Sequence, residues 1–262
     1  RSAWPNPTPT PRTINPYEAP EAGNDIGAGA PVEPSLPWNG KDILLTVLGG
    51  VVGLIVASLV IAVSYALVAD DDASFTSTLV ILELVSYGIF FASLWYFVIR
   101  RKGATWADIG FKQVPGTTYL LMVPIAIGLL IGSGLIALWV RSTFSDVPTA
   151  EDQLAIEDAL TKGEFLWLFF ATGVVAPVVE ETFFRGVLYR YLRLRWTVPL
   201  AMVVSALLFA IVHAIPVLIP VFLFLGIVFA FVAERYDSLY PAITLHALNN
   251  GVALLAVYST LD

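Results

Sequence analysis

Residues 177–191 read PVVEETFFRGVLYRY, and two adjacent carboxylates stand near the start of a largely apolar stretch. Inside hydrocarbon an ionisable side chain costs at least about 2.5–3.5 kcal/mol on insertion scales for Asp, Lys or Arg, so each one needs a partner or a task. Glu180, Glu181, Arg185, His213 and His246 are the groups in question, and the chain has only those two histidines. Glu181 and Arg185 stand four apart with the acid first, the order that favours a helical ion pair, so their expected role is structural. Glu180 is rotated by about 100° from Glu181 on a helix and has no basic residue three or four positions away. It is the carboxylate left for chemistry.

His213 shares a helix face with Phe209, and His246 shares one with Asn250. Taken singly, a histidine in an apolar helix reads as a packing residue. Taken together, a carboxylate, two imidazoles and an amide around one trapped water are the parts of a hydrolytic site. Glu180 would take a proton from the water while His213 holds it. His246 and Asn250 would stabilise the oxyanion of a tetrahedral intermediate, each donor contributing about 2.7–4 kcal/mol.

These residues must be brought together by helices. If the segments carrying Glu180 and His213 form an antiparallel hairpin turning at RWTVP, both residues lie equally far from the turn, roughly 25 Å along each helix. They should share one depth. Pro177 lacks an N–H and is expected to kink its helix against the carbonyl of Gly173; inside lipid such a break is tolerated where it lines a cavity. Pro241 suits a helix start, but it leaves His246 only roughly 8 Å along that helix. Either the turn before Pro241 dips into the protein, or the helices are tilted and unequal. Glu83, in VILELVSY, is expected to hydrogen-bond between helices or to lie near an interface.

The chain as a whole fits that setting. Its 262 residues are 57% hydrophobic and 13% charged, with a mean hydropathy of +0.78, which marks an integral membrane protein. The fold expected is all-α, a polytopic helical bundle, with segments near 43–69, 78–99, 118–140, 165–193, 198–214, 217–236 and 242–260 long enough to span the bilayer or nearly so. Two regions are expected: a Pro-rich, disordered cytoplasmic tail over 1–40, which holds nine of the 17 prolines, and a helical domain over 41–262. The loop DDDASFTST has no Lys or Arg, whereas the next connection carries Arg100, Arg101, Lys102 and Lys112. That alternation puts the N-terminus in the cytoplasm, and the location expected is a bacterial inner (plasma) membrane. Trp106, Ile109 and Phe111 in this connection suit an interfacial segment. The chain opens on Arg1 with no signal-peptide pattern, and further sequence upstream is expected.

Other chemistries fall away. No cysteine is present for a disulfide, a thiolate metal site or a thiol nucleophile, and the net charge of −7 with no basic tract excludes a nucleic acid partner. The spans hold no Asp pair for an aspartyl mechanism. All four lysines lie outside the expected spans, so a retinal Schiff base is excluded.

Glu180, Glu181 and Arg185 read as EExxxR, Phe209 and His213 as FxxxH, and His246 and Asn250 as HxxxN. In that order on successive segments, over residues 165–261, they resemble the CPBP, or Abi, family of intramembrane endopeptidases. This family includes CAAX prenyl proteases and bacteriocin-linked proteins. The resemblance implies a helical fold with a conical cavity and a peptidase that activates water with glutamate. It gives Glu180 and His213 the water, His246 and Asn250 the oxyanion, and Glu181, Arg185 and Phe209 supporting positions. No cofactor is then required; the alternative is zinc held by Glu180, His213 and His246, a His₂Glu set without an HExxH motif. The partners implied are the bilayer and a peptide or protein substrate, which need not be prenylated in a bacterium. The competing reading is a non-catalytic transporter, immunity protein or scaffold using the same polar pocket. Oligomeric state is not legible.

Overall fold

In the computed structural model, residues 35–68, 75–149 and 160–260 are described; the Pro-rich segment read as a tail lies almost wholly outside them. The remainder falls within the unit Pro37–Asp262, and it is helical along seven rods. They are α1 (Gly40–Val68), α2 (Phe75–Leu94, continued by wide π turns over Trp95–Arg100), α3 (Thr117–Thr143) and α4 (Lys162–Arg193). Then come α5 (Val198–Val212), a 3₁₀ turn (Pro216–Leu218), α6 (Ile219–Tyr236) and α7 (Leu239–Tyr258). The all-α membrane bundle read from hydropathy is the fold found, with each rod close to its expected range.

Five of the described helices are long and apolar enough to cross a membrane. The other two are α5, just past whose end His213 stands, and α7, which carries His246. α5 has only 15 residues, and α7, although 20 residues long, is diluted by His246, Asn249 and Asn250. Outward faces of α1 and α3 are bare leucine, valine and isoleucine, with Leu120 71% exposed. In water such faces would be untenable; they belong against lipid.

Local signals set the element ends. Thr161 caps α4, accepting from Glu164 N–H while the Glu164 side chain returns to the Thr161 N–H, a reciprocal capping box. Ser238 caps α7 by accepting from Tyr240 N–H. α6 ends at Asp237, whose φ of 45° turns the chain left-handed before α7 begins.

α4 is the central post: every residue from Glu181 to Arg190 is buried. α5, α6 and α7 pack around it, and α2 closes the side holding Glu180. Close approach at two glycines sets the spacing. A Cβ at Gly186 would stand 2.7 Å from the Ile109 carbonyl oxygen, and one at Gly226 would stand 2.9 Å from Ala206 Cβ. The first lets the α2–α3 connection lie on α4; the second presses α6 onto α5.

That connection is more than an interfacial flap. Trp106 stacks on Phe91 with centroids 6.0 Å apart and stays half-exposed, but Ile109 is fully buried. The Gly110 carbonyl accepts from Leu239 N–H at 2.8 Å, and the Lys112 carbonyl accepts from Ser238 Oγ at 2.6 Å. Asp237 takes both Arg190 and Lys112 as ion-pair partners. The turn into α7 is thereby covered by protein, with Ser238 fully buried. α7 starts two residues before Pro241, and the helices are also unequal in length.

Candidate active site

The helix that carries Glu180 does not keep a 3.6-residue repeat. It widens into π turns over Ala171–Val175 and again over Thr182–Tyr189, the type of local insertion often found where side chains must be re-aimed. Pro177 accounts for the first. Ala176 N–H reaches back five residues to the Ala171 carbonyl. In that register the donor for Thr172 would be residue 177, which as proline has none. The expected kink against Gly173 is therefore a π turn that releases the carbonyl one residue earlier. Asn250 takes it, donating Nδ2–H to Thr172 O at 3.0 Å.

Asn250 is thus oriented by a backbone defect on α4. Its Oδ1 accepts from Asn249 Nδ2 at 3.3 Å, and one N–H remains for the pocket. Pro177→Ala returns a backbone donor that competes for the released carbonyl. Loss of one neutral hydrogen bond, about 1 kcal/mol, corresponds to about a fivefold fall in turnover. The expected result is that fall in kcat at constant KM, measured on the purified protein.

Glu181 is fully buried and receives two donors on Oε1, Arg185 Nη1 at 2.8 Å and His246 Nδ1 at 2.9 Å. The expected ion pair is present, and it also holds the second histidine, a link the helical spacing did not reveal. Arg185 continues to the Gly226 carbonyl at 2.9 Å, and its guanidinium lies 4.6 Å from the Phe209 ring centroid. Phe209 in turn packs edge-on to His213 at 4.7 Å and to His246 at 5.8 Å. Its carbonyl accepts from His213 Nδ1 at 2.7 Å. One aromatic residue therefore fixes the guanidinium and both imidazoles.

His213 lies just past the last turn of α5 and stacks on Phe222 at 4.0 Å. His246 stacks on Phe229 at 4.5 Å. In both rings the carbonyl or carboxylate partner calls for the proton on Nδ1, which leaves Nε2 for the pocket. His246 Nε2 stands 3.9 Å from Glu180 Oε2. The other oxygen, Oε1, accepts from Tyr87 Oη at 2.5 Å. Glu180 is not the partnerless carboxylate that its own helix suggests, because its partner comes from α2.

Glu180, His213, His246 and Asn250 all line one cavity of about 320 Å³, together with Thr172 and Asn249. A second cavity of about 500 Å³ lies between α1, α2, α4 and α5, walled by Val47, Val51, Leu54, Phe90 and Phe183. Tyr87, Glu180 and His213 are the residues common to both. Glu83, expected to bond between helices, does so: Thr172 Oγ1 donates to its carboxylate at 3.2 Å. Among the described residues, no three His, Asp or Glu side chains form a group that could hold a metal ion.

Tyr87, Thr172 and Asn249 are site residues that sequence reasoning missed. An aromatic or a threonine in an apolar span reads as packing. The one available signal was that Glu83 and Tyr87 are four apart and face α4 together.

A membrane-embedded helical bundle with Glu180, His213, His246 and Asn250 around one cavity is the class of protein that the fold and the site define. Residues 162–252 match the Rce1-like family, described as type II CAAX prenyl endopeptidase Rce1-like. The matched stretch runs from the start of α4 into α7 and contains every motif residue, and the resemblance read from EExxxR, FxxxH and HxxxN is the one it gives. It supports an intramembrane peptidase of the CAAX-protease type in general. Neither the curated proteins nor the solved structures gave a match.

Proposed function

We propose that the protein is an intramembrane endopeptidase that hydrolyses a peptide bond with water activated by Glu180 and His213, without a metal. The observation that carries this reading is the convergence of Glu180, His213, His246 and Asn250 on one cavity. A water there finds two acceptors, Glu180 Oε2 and His213 Nε2, so its hydrogens are directed to them and its lone pair to the substrate carbonyl. Glu180 takes the proton as the oxygen attacks, and returns it to the amine as the C–N bond breaks. The remaining Asn250 N–H faces the oxyanion. His246 has Nδ1–H given to Glu181, so it adds a donor toward the oxyanion only through a proton on Nε2.

The substrate is a peptide or protein reaching the site from the bilayer or its surface. Loop charges support an N-terminus in the cytoplasm, and the reading places the protein in a bacterial plasma membrane. Comparing new protein termini in membranes that contain wild type or Glu180→Gln tests the activity. Termini present only with the wild type are expected, and identical sets would refute it. Cleavage of a peptide found in this way should be unchanged, within about twofold, after exhaustive chelation. Loss on chelation and recovery with zinc would restore the metal alternative.

A further inference from the structure

We infer that Tyr87 is a positioning residue for the base: its hydroxyl anchors Oε1 of Glu180 and so assigns the chemistry to Oε2. This rests on the peptidase reading and adds a residue from α2, outside the stretch matched to the Rce1-like family. Three observations converge on it. Tyr87 Oη donates to Oε1 at 2.5 Å, the length of a charge-assisted O–H···O bond. The other oxygen faces His246 Nε2 at 3.9 Å, too long for a direct hydrogen bond. Tyr87 also stands in the wall between the two cavities, beside Glu180 and His213.

A glutamate on a helix has three side-chain torsions to fix, and the neighbours on its own helix do not fix them. Arg185, the nearest cation on α4, is spent on Glu181 and Gly226. His213 is held by Phe209, and Glu83 is held by Thr172. Tyr87 is the group from a neighbouring helix with a direct hydrogen bond to Glu180. With Oε1 tied to α2, rotation about the terminal bond is arrested and Oε2 is kept on the side of His246 and Asn250. A freely rotating carboxylate would present either oxygen to either cavity, and only part of its population would meet the water.

The test uses full-length wild type, Tyr87→Phe and Glu180→Gln in lipid nanodiscs. Infrared carboxylate bands lost in Glu180→Gln are assigned to Glu180 and then compared in Tyr87→Phe, a readout that needs no turnover. Cleavage of the peptide identified from the termini comparison gives kcat and KM. The expected result is a shifted Glu180 band together with a kcat about ten- to a hundredfold lower, while KM stays within about twofold. An unshifted band overturns the contact, and a shifted band with unchanged kcat overturns its positioning role. A rise in KM alone would make Tyr87 a binding-wall residue and also overturn it. Cleavage by Glu180→Gln at the wild-type rate overturns the peptidase mechanism itself, whatever the band does.

Discussion

Glu180→Gln is expected to lower peptide cleavage by about 10²–10⁴-fold, the usual contribution of a placed general base, and to leave the fold intact. The substitution is nearly isosteric, and a glutamine oxygen still accepts from Tyr87 Oη. What disappears is the capacity to take a proton at the position facing His246. Unlike Glu181, Glu180 retains 17% side-chain exposure, so the amide is not trapped without hydrogen-bond partners. Melting temperature and elution volume in detergent should match the wild type while initial rates collapse. A variant that keeps more than about a tenth of the rate would remove Glu180 from the role of base.

Arg185→Met is expected to give the largest loss of stability, about 3–5 kcal/mol, because it leaves the fully buried Glu181 carboxylate without its cation. The guanidinium also closes contacts among three helices: Glu181 on α4, the Gly226 carbonyl on α6 and the Phe209 ring on α5. Removing both charges with Glu181→Gln and Arg185→Met should recover much of that stability, since no lone charge is then buried. Activity should not recover with it. His246 loses the carboxylate that fixes its ring, so stability and turnover separate in the double variant. Urea unfolding in mixed micelles beside rate measurements reads both; recovery of full activity would show that Glu181 does not orient His246.

The helical rods were legible because hydropathy over about 20 residues is a strong signal, and Glu180 and His213, matched by counting residues around one turn, line one cavity. Counting failed where the helix repeat itself changes. A ruler of 3.6 residues assigns the carbonyl freed by Pro177 to Gly173, whereas the π register over Ala171–Val175 moves it to Thr172. It also gives no hint that Glu181 reaches across to His246, since contacts between helices carry no sequence period. Loop charge had a similar limit. Lys112 and Arg190 pair with Asp237, and Arg193 pairs with Glu234, so part of the positive bias used to orient the chain is neutralised within the fold.

The fifteen residues of α5 extend only about 22 Å, well short of a hydrocarbon layer of about 30 Å. Lipids beside this rod face a hydrophobic mismatch and must compress or tilt to meet it. His213 stands just past the end of this rod, where a thinned leaflet would bring headgroups and water toward the cavity it lines. Acyl-chain length in the host bilayer is then expected to tune hydration of the pocket through one truncated helix.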